Sequence, residues 1–171
     1  GQGGINEKGL VIDGASTPIQ KIPKNYSSPK GNITDEILAT CQTVSEAIQY
    51  LEDEKVALKN AHILLGDKNG KAVIVEWING VKNIIEMKDN RLIATNFNLS
   101  DSGQTEKTCW RYPIIQNGLD ELDSIKDTLT IKDIGNVIGK VVQTPQVNST
   151  GKIGGTLYTT FIDLTEICFS L

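Results

Sequence analysis

The chain has 171 residues, 39% of them hydrophobic, which supports one good core and hardly two. A net charge of −4 without a run of basic residues argues against a nucleic-acid surface, and no stretch approaches the about 18 consecutive apolar residues of a membrane span. Cys41, Cys109 and Cys168 show no C-x-x-C spacing and His62 is the single histidine, which argues against a Cys/His zinc site; three is an odd number, which excludes a complete disulfide framework and leaves one bridge open.

In chain order, Asn6-Glu7-Lys8-Gly9 reads as a turn and Leu10 to Gly14 as a short buried strand. Residues 15–31 carry Pro18, Pro23 and Pro29 and read as a long surface loop, a type of segment that often carries function. Thr34 is placed to cap a helix from Asp35 to Cys41. Thr43-Val44-Ser45-Glu46 reads as a capping box, opening a helix whose Val44, Ala47, Ile48 and Leu51 share one face.

Asn60 to Phe97 reads as a ladder of strands. Ala61 to Leu65 turns at Asp67-Lys68-Asn69-Gly70, and Ala72 to Ile78 closes on Asn79-Gly80, a strong hairpin signal. Val81 to Met87 follows, and Lys88-Asp89-Asn90 leads into a returning strand from Arg91 to Phe97. Strand alternation would put Leu92, Ala94 and Asn96 on one face, with a primary amide ending an apolar row.

Asn98 to Thr108 reads as a loop. Glu106 to Gln116 reads as helical, restricted by Pro113 to a start near Tyr112 or a broken helix, with Gly118 as a stop signal. Thr130 caps another, with Ile131, Ile134, Val137, Ile138 and Val141 as its apolar stripe, and a terminal hairpin begins near residue 156. The pattern is α+β, with helices packed on a mostly antiparallel sheet, in one domain over 1–171. The Gly1 start and the closing apolar strand are read as signs that material is missing at both ends, which would expose sheet edges and favour self-association.

The catalytic inventory is thin. His62 lies in an apolar strand, where a core histidine is the plainer reading. All three cysteines read first as small buried thiols, Cys109 having a neighbouring cation in Arg111. Only Arg91 and Arg111 of the 17 basic residues are arginine. Arg111, between Trp110 and Tyr112, is either stacked and structural or a functional fork.

Four ordered segments resemble one family. Gly4-Ile5-Asn6-Glu7-Lys8-Gly9-Leu10 resembles the G-[MI]-N-E-K-G-L signature of the linear-amide C–N hydrolases of the N-terminal-nucleophile (Ntn) superfamily. That group includes choloylglycine (bile salt) hydrolases, penicillin V acylases and acyl-CoA:6-aminopenicillanic acid acyltransferase-like proteins. Val44-Ser45-Glu46-Ala47-Ile48, Ala94-Thr95-Asn96-Phe97 and Cys109-Trp110-Arg111-Tyr112 are similar to later family segments, and the whole is closer to the acyltransferase-like branch.

The resemblance implies an αββα sandwich of mostly antiparallel sheets and attack on a small-molecule linear amide by an N-terminal cysteine, without metal or other cofactor. Asn96 matches the family's oxyanion asparagine, and Arg111 an arginine that orders the site or steadies charge. The family's nucleophile is expected upstream of Asn6, outside this sequence, so the chain by itself is expected to be inactive. Where bile salt hydrolases carry a second asparagine, the sequence reads Ala15-Ser16-Thr17, leaving Ser16 and Thr17 as substrate-side candidates. Two other readings stay open: a non-catalytic binding module that keeps the fold, and a cysteine enzyme built on Cys109 with His62.

Overall fold

The computed structural model describes residues 3–101, 109–147, 150–156, 159–164 and 168–170. The chain divides into two compact units, residues 1–109 with 164–167, and residues 110–163 with 168–171.

The first unit is built on a five-stranded antiparallel sheet in sequence order: β1 (Gly4–Ile5), β2 (Leu10–Ser16), β3 (Ala61–Asp67), β4 (Ala72–Ile78) and β5 (Val81–Glu86). Each turn carries the backbone geometry its residues favour. Asn79 and Gly80 both have positive φ, 52° and 83°, as a two-residue hairpin turn with right-handed strand twist requires. The register pairs Ile12 with Leu65 and Leu65 with Val73, so the apolar residues of three strands fall in rows on one face.

That face meets α1 (Ile33–Thr40) and α2 (Val44–Asp53). Leu10, Ile12, Ile63, Leu65, Val73, Val75 and Trp77 form one buried cluster with Ile37, Val44, Ala47 and Leu51. Burial of each such aliphatic side chain contributes about 1.5–3 kcal/mol, so this cluster is the main source of stability in the unit.

Three polar side chains fasten turns and helix ends to this core. The Asn6 side chain donates to the carbonyls of Leu38 (2.9 Å) and Cys41 (2.8 Å), near the end of α1, and accepts from the Leu10 amide at 3.0 Å. The asparagine of the N-E-K-G-L signature is thus a brace between turn and helix. Asp67, 3% exposed, accepts the Val44 amide at the start of α2 (2.9 Å) and the Asn69 amide of its own turn (2.9 Å). Glu52 receives the Tyr26 hydroxyl and the Lys82 ammonium, tying the proline-rich loop and β5 to α2.

Several expectations need correction. α1 is capped by Asn32, whose side chain accepts from the Thr34 amide at 3.2 Å; Thr34 lies inside the first turn and is buried. Thr43 caps α2 as expected, but the Glu46 carboxylate reaches one residue further back, to the Gln42 amide at 2.8 Å. The surface loop begins at Thr17, because Ala15 and Ser16 continue β2 opposite His62 and Ala61.

Residues 91–97 do not form a strand. Lys88 and Arg91 exchange backbone hydrogen bonds around Asp89 and Asn90, both at positive φ, and the chain then leaves the sheet. The shared-face argument for Leu92, Ala94 and Asn96 falls with it. Side-chain bonds to β2 and β4 hold this segment in place of strand pairing.

The second unit contains α3 (Arg111–Ile125), α4 (Ile131–Gly139) and two short antiparallel pairings among its described residues. These join β6 (Gln146–Val147) with β7 (Ile153–Gly154), and β8 (Phe161–Asp163) with β9 (Cys168–Ser170). Gly118 does not stop α3. It is buried in the helix, and a Cβ there would sit 2.9 Å from Val137 Cγ1 of α4; the glycine allows the close approach of two helices. Pro113 lies in the first turn, where its missing N–H breaks no helical bond. Thr130 caps α4 in a reciprocal box with Asp133, and Lys126 beside Asp133 together with the Thr130 bonds holds that carboxyl below its usual range.

Candidate active site

Asn96 sits at a bend between buried neighbours. Thr95, Phe97 and Asn98 are 6%, 7% and 2% exposed, whereas Asn96 itself is open to solvent. Its Nδ2 donates to the Ser16 carbonyl at 2.9 Å, across 80 positions of sequence. An amide tethered through one N–H is restricted in orientation, and the direction of its second N–H is restricted with it. Next to that tether, the Thr17 amide donates to the Asn60 carbonyl at 2.8 Å, extending the β2–β3 pairing by one rung. The structure therefore brings Asn96, Ser16 and Thr17 together at one end of the sheet. The Ser16 contribution shown is its backbone carbonyl.

Downstream of the bend, the segment is anchored on β4. Glu76 is fully buried and stands directly opposite Asn83 of β5, on the sheet face turned away from the apolar cluster. Its carboxylate accepts the Leu99 amide at 3.1 Å, the Ser100 amide at 2.6 Å and the Ser100 hydroxyl. His62 Nδ1, also fully buried, lies 3.4 Å away, a long contact for a hydrogen bond. Burial pushes the Glu76 carboxyl up, but the His62 contact and the bonds from Ser100 and Leu99 outweigh it and hold the group below the ordinary glutamate value.

Sequence reasoning missed Glu76. Its signal was an acidic residue inside the otherwise apolar run from Val73 to Ile78. His62 is a core histidine, as the plainer reading had it. Its Nε2 has no hydrogen-bond partner among the described residues, so the Cys109–His62 pair of the third reading is not formed. Burial pushes the Cys41 thiol up and keeps it inert. Cys109 is partly exposed, and Arg111 begins α3 in the second unit. Among the described residues, no three His, Cys, Asp or Glu side chains are grouped to hold a metal ion, and no helix is long and apolar enough to cross a membrane.

A family model described as acyl-coenzyme A:6-aminopenicillanic acid acyl-transferase matches residues 1–171. The chain belongs to this acyltransferase family. Its relatives include a penicillin V acylase of Pectobacterium atrosepticum, 27% identical over an alignment of 124 residues that covers 63% of this chain and 33% of that protein. The chain thus matches about a third of the length of that curated relative.

Among solved structures, a variant of the conjugated bile acid hydrolase from Clostridium perfringens superimposes with a TM-score of 0.71 at 15% identity, covering 98% of this chain and 68% of the other. The penicillin V acylase of Agrobacterium tumefaciens gives 0.56 at 18% identity, covering 82% and 52%. At these identities the likeness establishes the fold. It is the mixed α and β, largely antiparallel architecture of the Ntn hydrolases, as the acyltransferase-like segments implied.

Proposed function

We propose that the chain is part of an enzyme that cleaves a linear, non-peptide amide or transfers its acyl group, with Asn96 as an oxyanion donor. The observation that carries this reading is the tether of an exposed Asn96 amide to the Ser16 carbonyl between buried neighbours. Such an amide is a fixed N–H donor at a place a small substrate can reach. Donors of this kind act on charge that develops in the transition state and cost no reorganisation when the reaction occurs.

In this reading the nucleophile is an N-terminal cysteine that lies outside residues 1–171. Its thiol passes a proton to its own α-amine as sulfur adds to the carbonyl carbon, and the carbonyl oxygen becomes an oxyanion. Asn96 Nδ2 donates to that oxygen. When the C–N bond breaks, the α-ammonium returns the proton to the leaving amine and an acyl thioester remains. Water or a second amine then releases the acyl group. Ser16 and Thr17 are assigned to the substrate side. The relatives named for penicillin V and conjugated bile acids support a small amide as substrate.

The test uses the full-length gene product with its nucleophile-bearing segment, assayed on penicillin V and on a conjugated bile acid. Asn96→Ala is expected to lower kcat by about a hundredfold or more, as removal of an oxyanion donor does, while the thermal midpoint stays unchanged. Wild-type turnover in that variant overturns the assignment. An intact gene without an upstream cysteine would favour the non-catalytic binding module.

A further inference from the structure

We infer that Glu76 is a positioning residue for Asn96: its buried carboxylate clamps residues 99 and 100, holding the preceding bend so that the amide stays at the end of β2. This rests on the reading of Asn96 as oxyanion donor. The segment from 92 to 101 has no strand partner among the described residues, so its shape depends on side-chain ties. Two of these flank the bend: Asn96 Nδ2 on Ser16 of β2, and the Leu99 and Ser100 donors on Glu76 of β4.

The β4 anchor is rigid. Glu76 lies between Val75 and Trp77, which are 0% and 1% exposed, in a strand paired with β5 at Glu76 itself and with β3 as far as Val75. Its two oxygens serve different donors: Oε1 takes the Ser100 amide and hydroxyl, while Oε2 takes the Leu99 amide and faces His62 Nδ1. A buried carboxylate is costly unless its oxygens are bonded, and here three donors come from two consecutive residues. The lever from that clamp to Asn96 is three residues long, and the two residues between, Phe97 and Asn98, are buried. Displacement of residues 99 and 100 is therefore passed to the amide.

Glutamine tests this sharply. Glu76→Gln keeps the shape of the side chain but turns an NH2 group toward N–H donors, so one of the clamped amides loses its acceptor. In the full-length enzyme the variant is expected to lower kcat about tenfold or more while KM stays within about twofold, the pattern of a group misplaced for the chemical step. A second readout needs no substrate. Amide exchange at Leu99 and Ser100 should quicken, and the Asn96 side-chain NH2 resonances should move toward those of a free asparagine. The β3–β4 ladder amides should keep their protection.

Wild-type kcat together with an unchanged Asn96 signal overturns the inference. If Glu76→Gln releases Asn96 but Asn96→Ala retains full turnover, the positioning stands and the oxyanion reading is the one that fails. Should Glu76→Gln not fold, Ser100→Ala removes one donor from an exposed residue. It is expected to lower kcat a few-fold with the same NMR change, and an unmoved Asn96 signal there also overturns the inference.

Discussion

Residues 61–86 and residues 92–101 belong to the same compact unit but are held by different forces. The first are strands paired in register, with apolar side chains buried in rows against two helices. The second are irregular backbone held by a buried carboxylate and by one amide reaching a carbonyl. Strand pairing with apolar burial is insensitive to pH and spread over many residues. A polar clamp is local, depends on a charge, and fixes direction as well as position. On the proposed reading of Asn96 that division suits a site: the ladder supplies stability, and the clamp supplies the aim of a single donor.

Substitutions can separate the two. The largest effect on stability is expected from Leu65→Ala in the fully buried ladder core, about 2–5 kcal/mol by denaturant unfolding. Asn96→Ala is exposed and should change stability by about 0.5 kcal/mol or less, despite its large effect on kcat. If the two variants unfolded alike, the division of labour would be wrong.

Acidification should widen the contrast. The Glu76 carboxyl is held below its ordinary value of 4.5 in the folded protein, so in the window between the two values the unfolded chain binds the proton and the native state does not. The stabilisation is fully present above the ordinary glutamate value and is lost as pH falls through the folded one. Hydrogen exchange measured down this range should show the amides of 99 and 100 losing protection before those of β3 and β4. The Glu76→Gln variant should lack that step. A smaller loss than that of Leu65→Ala is local to the ladder: Gly80→Ala, at φ of 83°, should cost about 1 kcal/mol by thermal unfolding, with kcat unaltered.

Local signals made most of the first unit legible. Asn79-Gly80, the Thr43 cap and the apolar runs of β3 and β4 each act within a few residues, and each formed where its pattern placed it. Errors arose where a distant partner decided. Gly118 reads as a helix stop until Val137 is seen packed against it. Arg91 to Phe97 alternates like a strand, yet the donors that follow it are taken by Glu76 and its Asn96 amide by Ser16, so no pairing forms.

The α+β class, the antiparallel ladder, the family and Asn96 as a candidate were all readable from the chain, because period, turn chemistry and short motifs are properties of neighbouring residues. That Asn96 stands on a bend, that Ser16 meets it through a carbonyl, and that Glu76 lies beneath the residues that follow came from tertiary contacts. Those relations join positions 23 to 80 residues apart, and hydrogen-bond geometry across such separations leaves no periodic trace in the chain.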